Sequence, residues 1–461
     1  MLNCFCRANS KTVKITPVIV NQYQEWVSKQ DQRIQNWLQT INFEPEKNNL
    51  AMLPDTHGRL EQVIIGLKHE HDYWAFGALP IYLNDGCYEI EKKLPEIAYQ
   101  LAHLAWGLGC YRFTAYRKRP PIHAKLNLPT DIADIERIVH TIYLVRDLIN
   151  TPAEDMGPAD LAEAAVSLAN DFGAKVNQII GDDLLKKNFP AIYAVGKSSQ
   201  HSPRLIDLTW GNEKHPKVTL VGKGVCFDSG GLNIKPAEAM LNQKKDMAGA
   251  AHVLGLAYLI MASELPIRLK VLIPAVENVI SDLAYRPGDI VATRKGLSVE
   301  ITNTDAEGRV VLCDALTYAC EDKPVCIIDI ATLTAAARVA LGPEVGAMMS
   351  NDERLAENIE KYSQKTLDPI WQLPLYKPYF DYLESPIADI RNSGLTSYAG
   401  AIMGGLFLQS FVKNDIPWAH FDILAWNDRD KPGRPVGGEA MGLRTIFTYL
   451  KEQFNKNDRI H

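Results

Sequence analysis

The stretch KVTLVGKGVCFDSGGLNIKP, residues 217–236, decides how the fold is interpreted. It opens with a β-branched run, residues 217–221, which predicts a buried strand, and the glycines after it predict a loop. The elements predicted downstream are a helix over 248–265, a strand over 269–275, a helix over 309–320 and a strand over 325–330. This alternation is typical of an α/β fold, in which the carboxyl ends of the strands open onto one edge of the sheet.

Charged side chains gather in the loops of this region. In chain order they are Lys223, Asp228, Lys235, Asp246, Asp305, Glu307 and Arg309. Asp305 and Glu307 are two residues apart, so an extended loop would direct both side chains the same way. No His or Cys pair with zinc-finger or HExxH spacing accompanies them, so most of the donors are oxygen atoms. The sequence therefore predicts a metal-dependent active site.

The number of charges suggests two metal ions. Four carboxylates match the charge of two divalent cations, and Lys235 and Arg309 are then left to handle substrate. Two ions a few Å apart can activate water and polarise a carbonyl or phosphoryl oxygen. Simpler explanations exist, because Asp246 could favour a helix dipole, Asp228 could be a turn residue and Lys223 could be a solvated charge. Spacing alone leaves a two-metal peptidase and a magnesium phosphohydrolase equally open.

Three motifs then resemble a known family. VGKGVCFDSGGLNIKP at 221–236, KKDMAGAA at 244–251 and NTDAEGRVVL at 303–312 are similar to the signatures of the leucyl (cytosol) aminopeptidases, the M17 metallopeptidases. RDLINTPAEDMGP at 146–158 and DIATLT at 329–334 extend the similarity. The resemblance implies a small N-terminal α/β domain and a larger catalytic α/β/α sandwich with a mixed central sheet. It also implies an aminopeptidase that acts on peptides with a free α-amine.

The resemblance assigns roles by position. A tighter metal ion would be bound by Lys223, Asp228, Asp246 and Glu307, and a more exchangeable one by Asp228, Asp305 and Glu307. The ions implied are Mn²⁺ or Zn²⁺, with Mg²⁺ as a further candidate. Lys235 would polarise the scissile carbonyl. Arg309 would hold a bicarbonate that carries a proton from the metal-bridging water to the leaving amine.

The same resemblance places four residues at the substrate: Gln243, Thr332, Leu333 and Ala335. Two of them depart from the family pattern, which commonly has Met in place of Gln243 and Gly in place of Ala335. A polar amide and an added methyl group should reshape the pocket for the first side chain. We hypothesise that Gln243 admits more polar first residues, and a substrate panel with Leu and Met far ahead of all polar residues would contradict this.

The N-terminal third of the chain predicts a separate small domain. Its strand-like stretches are 13–20, 60–67 and 73–79, and its helix-like stretches are 23–41 and 96–108. Pro120, Pro121 and Pro129 mark a boundary, and an apolar stripe over 131–149 predicts a connecting helix with Thr130 as its cap. Beyond it, 161–172 is predicted as a helix, and 176–180, 191–195 and 205–210 as strands. We therefore predict a macro-like N-terminal domain over 1–127, a connecting helix over 128–150 and a catalytic domain over 151–461.

Composition bounds the partners and the compartment. The 461 residues, 46% of them hydrophobic and 23% charged, suffice for two cores. A net charge of −6 gives no general reason to bind nucleic acid or an anionic membrane. No signal peptide or transmembrane run is evident. The eight cysteines are scattered, which predicts reduced thiols in the cytoplasm.

Two expectations concern assembly and alternatives. The family builds an inner cavity from six subunits, so the resemblance implies a homohexamer, a dimer of trimers, with peptides as substrates. A DNA-binding regulator is a second hypothesis, because some relatives have that side role. The acidic balance and the lack of a recognisable reading helix argue against it.

Overall fold

The computed structural model describes residues 1–7, 12–47 and 50–455. The chain forms two compact units, Met1–Tyr143 with Asn427–Val436, and Leu144–Trp426 with Gly437–His461. These limits differ from the predicted domain ranges in two respects. Asn427–Val436 belongs with the first unit, and the connecting helix is divided between the two units. The predicted two-domain α/β organisation, with a smaller N-terminal and a larger C-terminal part, is confirmed.

The first unit contains a six-stranded sheet in the order β1-β6-β5-β2-β4-β3. Its strands are β1 (Phe5–Cys6), β2 (Val13–Ile19), β3 (Leu50–Pro54), β4 (Leu60–Leu67), β5 (Gly86–Ile90) and β6 (Ala124–Asn127). Its helices are α1 (Tyr23–Ser28), α2 (Gln32–Thr40), α3 (Leu79–Tyr82) and α4 (Glu96–Gly109). The pairings are parallel except that of β3 with β4.

Two predictions for this unit were wrong. The single helix over 23–41 is broken into α1 and α2, because the Asp31 carboxylate accepts the backbone N–H of Ile34 at 2.8 Å and starts a second helix. The strand over 73–79 is a 3₁₀ helix, Tyr73–Ala78. It packs against α4 so closely that a Cβ on Gly109 would lie 2.1 Å from the carbonyl oxygen of Gly77.

A disulfide joins Cys6 and Cys87, which lie on β1 and β5. The prediction that all cysteines are reduced is therefore wrong for this pair. The two cysteines are 81 positions apart in the sequence, and only the order of the strands brings them together. The free cysteines are Cys4, Cys110, Cys226, Cys313, Cys320 and Cys326.

The second unit is built on a nine-stranded mixed sheet. Helix α5 (Asp134–Asn150) leads into it. The strands that follow are β7 (Lys175–Ile180), β8 (Arg204–Trp210), β9 (Lys217–Gly222), β10 (Gly224–Asp228), β11 (Arg268–Asn278), β12 (Ile290–Ala292), β13 (Ser298–Glu300), β14 (Cys326–Ala331), β15 (Gly346–Ser350), β16 (Ile370–Gln372), β17 (Ile390–Arg391), β18 (Trp418–Asp422), β19 (Trp426–Asn427) and β20 (Gly437–Gly438). Nine of these strands form the main sheet. Eight of them follow the order β16-β15-β18-β14-β9-β11-β8-β7, and the ninth, β10, pairs with β11.

Helices cover this sheet in two groups. The helices are α6 (Pro158–Phe172), α7 (Asp183–Lys186), α8 (Pro190–Gly196), α9 (Ala237–Met240), α10 (Ala248–Ala262), α11 (Glu307–Glu321), α12 (Ala335–Leu341), α13 (Glu353–Thr366), α14 (Gly400–Gln409) and α15 (Leu443–Phe454). Helix α10 contacts β9, β14, α6 and α15, whereas α11 contacts β9, β11, α8 and α14. The central strands β9, β14 and β18 are parallel and nearly all buried, which explains their continuous apolar runs.

Two further predictions fail in detail. Residues 191–195, predicted as a strand, form helix α8, whose first residue is Pro190 and whose N–H groups at Ala191 and Ile192 donate to the buried carboxylate of Asp314. Thr130 does not cap the connecting helix, because a 3₁₀ turn, Thr130–Ile132, precedes its start at Asp134. Nowhere in the described ranges is a helix both long and apolar enough to cross a membrane.

Candidate active site

Lys223 is the one residue between β9 and β10, both of which pair with β11. Its N–H donates to the Ile330 carbonyl at 3.0 Å, and its carbonyl accepts the N–H of Ala250 at 2.8 Å. Its side chain runs past Gly308, where an added Cβ would lie 2.6 Å from the Lys223 Nζ. The backbone therefore fixes a buried ammonium at the carboxyl edge of the sheet.

Asp228 ends β10 and is 2% exposed. Its Oδ1 accepts hydrogen bonds from the Gly230 N–H at 2.9 Å and from the Asn278 Nδ2 at 2.8 Å. Its Oδ2 lies 2.8 Å from the Nζ of Lys235. Gly230 has a φ of +87°, a conformation that glycine adopts without strain, so the turn can bring its N–H back to the carboxylate.

Asp305 and Glu307 lie at the start of α11. Asp305 is in the preceding loop and contacts Lys235, while Glu307 is the first helical residue and places its Oε1 2.7 Å from the Nζ of Lys223. One carboxylate oxygen each from Asp228, Asp305 and Glu307 lies within 4.8 Å of the others. The structure therefore brings these three predicted residues together.

Asp246 joins the cluster through Lys223 and Thr332. It lies in a 3₁₀ turn, Gln243–Met247, just before α10, and its Oδ2 is 2.8 Å from the Lys223 Nζ. Its Oδ1 accepts the hydroxyl of Thr332 at 2.7 Å, and the Thr332 carbonyl accepts from the Lys223 Nζ at 3.1 Å. Thr332, predicted at the substrate, thus holds two of the predicted metal-binding residues.

The carboxyl groups shift one another's proton affinity. Burial raises the pKa of Asp228 well above its usual range, raises that of Asp246 to about 6 and raises that of Asp305. Burial acts in the same direction on Glu307, but the adjacent Lys223 ammonium outweighs it, so the pKa of Glu307 is lowered. These carboxylates share one desolvated space, and a cation bound among them would favour their ionised forms.

The residues fit a divalent cation. Glu307 is only 1% exposed, and its buried Oε2 has no hydrogen-bond partner among the described residues. An unpaired buried carboxylate oxygen is costly unless a further group binds it. Hard divalent ions take oxygen ligands at about 2.0–2.6 Å, so two ligands of one ion lie within roughly 5 Å of each other. The spread of 4.8 Å among the three carboxylates is compatible with that geometry.

Arg309 is the third residue of α11 and is 7% exposed. Its Nη1 donates to the Asn392 carbonyl at 2.8 Å, whereas its buried Nε has no partner within the part of the chain that the structure describes. Burial lowers the pKa of Arg309 to about 10, and the negative charges of Asp422 and Glu307 oppose that shift. The guanidinium is therefore a buried cation with a free donor.

The other predicted substrate residues lie in two segments. Gln243 occupies the same turn as Asp246, and its Nε2 donates to the Ala239 carbonyl at 2.8 Å. Leu333 follows Thr332 directly, and Ala335 is the first residue of α12. Only Thr332 of the four has a hydrogen bond to a predicted metal-binding residue, among the contacts that the structure describes.

A polar cavity of about 460 Å³ adjoins the carboxylates. Asp305 lines it together with Asn233, Asn303, Ser393 and Thr396. This volume lies within the usual range of small-ligand sites. Asp305 is the carboxylate of the cluster that lines this cavity.

Three residues of this site were missed by sequence reasoning. The side-chain amide of Asn278 donates to Asp228 and to the Thr304 carbonyl. The side chain of Asn392 accepts the N–H of Thr302 at 2.8 Å. Asp422 accepts the N–H of Leu333 at 2.9 Å. A signal existed only for Asp422, because WAHFD ends a strand with the same Phe-Asp pair as GVCFD. The two asparagines belong to segments that carry no comparable pattern.

Comparison with known proteins identifies the family of this chain. The sequence model described as the cytosol aminopeptidase family, catalytic domain, matches residues 143–447, and the M17 aminopeptidase N-terminal domain matches residues 13–129. The probable cytosol aminopeptidase of Roseiflexus castenholzii is 41% identical over 365 residues, which cover 75% of this chain and 74% of the relative. That of Legionella pneumophila is 46% identical over 306 residues, 65% of this chain and 63% of the relative.

Solved structures extend the likeness to the whole fold. The crystal structure of cytosol aminopeptidase from Coxiella burnetii has a TM-score of 0.96 and 50% identity, and the match covers 98% of this chain and 100% of that one. The bottromycin maturation enzyme BotP in complex with Mn has a TM-score of 0.87 and 29% identity, covering 96% and 100%. The family is metal-dependent, in agreement with the buried carboxylate cluster. The chain therefore belongs to the cytosol aminopeptidase family and is a metalloexopeptidase of the leucyl aminopeptidase type.

Proposed function

We propose that this chain removes the first residue from peptides with a free α-amine, with two divalent metal ions in each subunit. The observation that carries this proposal is the set of carboxylate oxygens from Asp228, Asp305 and Glu307 within 4.8 Å of one another. The unpaired Oε2 of Glu307, in the described part of the chain, supports it. So does the Mn complex of the similar bottromycin maturation enzyme.

The proposed metal ligands lie in contact with one another. The residues that would hold the ions are Lys223, Asp228, Asp246, Asp305 and Glu307. When bound there, two divalent ions would lower the pKa of a water molecule and polarise the scissile carbonyl. Lys223 would have to lose its proton to serve as a ligand. Its pKa is raised at present because the charges of Asp246 and Glu307 outweigh the effect of burial, and cations beside it would reverse that balance.

Lys235 would stabilise the negative charge that develops on the scissile carbonyl oxygen. Its Nζ lies 2.8 Å from Asp228 and also contacts Asp305, so it borders the carboxylate cluster. Burial lowers the pKa of Lys235, but the surrounding carboxylates raise it by more than burial lowers it. The net effect is a raised pKa, so the ammonium stays charged at neutral pH. A fixed ammonium in a desolvated site is worth most where charge appears in the transition state.

Arg309 would hold a bicarbonate ion that relays a proton. The support is its buried Nε, which has no partner among the described residues, together with its positive charge. A bicarbonate there would receive a charge-assisted hydrogen bond. If this is right, added bicarbonate raises the rate of the native enzyme in carbonate-free buffer and leaves Arg309→Ala unaffected.

The pocket for the first side chain would differ from that of relatives with Met and Gly. Gln243 lies beside Asp246 in one turn, and Leu333 and Ala335 follow Thr332, which bonds to Asp246. A polar amide at this place favours polar first residues, because it can pair with them. Gln243→Met should therefore shift kcat/KM toward Leu and Met substrates.

We further propose a cytoplasmic homohexamer, a dimer of trimers. Large apolar side chains that are 79–83% exposed, among them Val339, Leu395 and Tyr398, support assembly. A mass in solution six times the 51.5 kDa of one chain is expected by light scattering. The Cys6–Cys87 disulfide is unusual for a reducing compartment, so alkylation of free thiols before cell lysis tests the location: protection of both cysteines from alkylation would contradict a cytoplasmic one.

One experiment tests the activity. The protein is stripped with a chelator, Mn²⁺, Zn²⁺ or Mg²⁺ is restored, and release of a chromophore from an aminoacyl substrate is followed. Activity should vanish and return, and the N-acetylated substrate should stay intact. Phosphate release from a generic ester would point to a phosphohydrolase instead. Salt-dependent binding to duplex DNA that Asp305→Asn leaves unchanged would point to a regulator.

A further inference from the structure

Asp422 is a buried carboxylate outside the predicted set. It ends β18 and is 1% exposed. In the parallel pairing of β18 with β14, Asp422 lies opposite Ala331, and the N–H of Ile423 donates to the Ala331 carbonyl at 2.9 Å. The side chain therefore stands beside the point where β14 ends and the loop to α12 begins.

The Asp422 carboxylate binds that loop through three hydrogen bonds. Its Oδ1 accepts the N–H groups of Leu333 at 2.9 Å and Thr334 at 3.1 Å. Its Oδ2 accepts the hydroxyl of Thr334 at 2.6 Å. The same hydroxyl oxygen accepts the N–H of Ala337 at 3.1 Å and so caps α12. Bonds to an ionised acceptor are roughly twice as strong as neutral ones, so the loop has one firm anchor.

The anchored loop holds two predicted metal-binding residues. Thr332, directly before Leu333, accepts the Lys223 Nζ with its carbonyl at 3.1 Å and donates its hydroxyl to Asp246 at 2.7 Å. A movement of the loop would disturb both contacts at once. Asp422 is therefore linked to both Lys223 and Asp246 through Thr332.

We propose that Asp422 is a positioning residue of the metal site, which fixes Thr332 through the backbone of the loop and thereby orients Lys223 and Asp246. This inference rests on the proposed function of those two residues as metal ligands. Groups that orient ligands typically change metal affinity by roughly 10- to 100-fold when they are removed. Asp422 acts by geometry and touches neither ligand.

The chain offers a matched control in Asp368. It is also a buried carboxylate that accepts two backbone N–H groups, those of Gly442 at 3.0 Å and Arg444 at 2.8 Å. These groups belong to the start of α15 and not to the site. Asp368→Ala should therefore destabilise the fold in a similar way without moving a ligand. Asp422→Asn is the conservative variant, because one amide oxygen can still accept both N–H groups that Oδ1 now accepts.

The test is the dissociation constant for Mn²⁺, measured from the free-ion electron paramagnetic resonance signal well below each variant's unfolding temperature. Asp422→Ala should weaken binding by roughly 10- to 100-fold, Asp422→Asn should restore it to near the native value, and Asp368→Ala should leave it unchanged. Equal affinities for Asp422→Ala and Asp368→Ala would overturn the proposal, as would an Asn variant as weak as the Ala variant.

The route through Thr332 has its own test. Thr332→Val removes the hydroxyl that bonds to Asp246, so the double variant with Asp422→Ala should bind Mn²⁺ little worse than Asp422→Ala alone. Additive losses would overturn the route. A native protein that binds no Mn²⁺ and has no aminopeptidase activity would instead refute the proposed function, which keeps the two failures distinguishable.

Discussion

The Nζ of Lys223 lies 2.7 Å from the Oε1 of Glu307, and both side chains are almost completely buried. Breaking one partner of a buried pair leaves the other charge uncompensated, which costs about 3–5 kcal/mol. Such a pair is a poor way to stabilise a fold, because both charges lose their hydration. Its position at the carboxyl edge of the sheet, where three carboxylates converge, agrees with the proposed role of both residues at a metal site.

Glu307→Gln tests the shared ligand. The substitution keeps the volume and removes the charge, so metal content should fall and activity should drop by more than the roughly 10- to 100-fold typical of supporting residues. Metal analysis and kcat/KM measure both effects. Glu321→Gln is the control, because Glu321 lies at the end of the same helix, is half exposed and pairs with Arg294. Unchanged metal content in Glu307→Gln would show that Glu307 is not a ligand.

Lys235→Ala tests the transition-state role. Metal content should stay nearly native, while kcat should fall by about 10²–10³-fold, as for the loss of one oxyanion donor. KM should change much less, because the interaction is made mainly in the transition state. Lys270→Ala is a suitable control, since Lys270 also pairs with two carboxylates, Asp207 and Asp322. Loss of metal from Lys235→Ala would contradict the assigned role.

Gly308→Ala tests the space that Lys223 needs. The new Cβ would lie 2.6 Å from the Lys223 Nζ, so the end of the Lys223 side chain would have to shift from its present position. Metal affinity and activity should both fall, although helix propensity alone would favour Ala by about 1 kcal/mol. Gly86→Ala is the control, because its nearest contact would be an ordinary 3.5 Å from the ring of Tyr88. A fully active Gly308→Ala would show that Lys223 does not need its present position.

The convergence of Asp228, Asp305 and Glu307 could be predicted because each lies within a local sequence pattern. Asp228 follows an apolar strand, and Asp305 and Glu307 flank a helix start, so each segment carries its own signal. The reason for their convergence was nevertheless different from the prediction. Glu307 does not alternate with Asp305 in an extended loop but opens α11, and the helix begins two residues earlier than predicted.

The contacts that could not be predicted depend on which strands become neighbours. Asp422 reaches Leu333 only because β18 lies beside β14, and Cys6 reaches Cys87 only through the order of the first sheet. Helix α8 was predicted as a strand because its short apolar run fits both structures. Asp314, 123 positions further on, provides the carboxylate that favours the helix by accepting its first N–H groups. Such distant partners leave no local signal.

Asp314 predicts a specific dependence of stability on pH. It is fully buried, accepts the N–H groups of Ala191 and Arg294, and burial raises its pKa to about 7. Because the unfolded chain ionises near the ordinary value of 3.9, the folded state binds the extra proton between about pH 4 and 7. The stabilisation that protonated Asp314 contributes to the fold is therefore fully present below about pH 4 and is lost as the pH rises to about 7.

The measurement compares the native chain with Asp314→Asn by denaturant unfolding, in chelator, at pH 5 and pH 8. The Asp314→Asn variant has no such proton to lose, so only the native chain should lose this stabilisation as the pH rises. The difference in free energy of unfolding between the native chain and the variant should therefore shrink by on the order of 3 kcal/mol from pH 5 to pH 8, about two pK units at 1.36 kcal/mol each. Asp322→Asn is the control. Lys270 lowers the pKa of Asp322 against the opposing effect of burial, so its contribution is lost only in more acidic solution and should stay constant over this range. A gap for Asp314→Asn that does not change with pH would mean that Asp314 is ionised in the folded protein throughout.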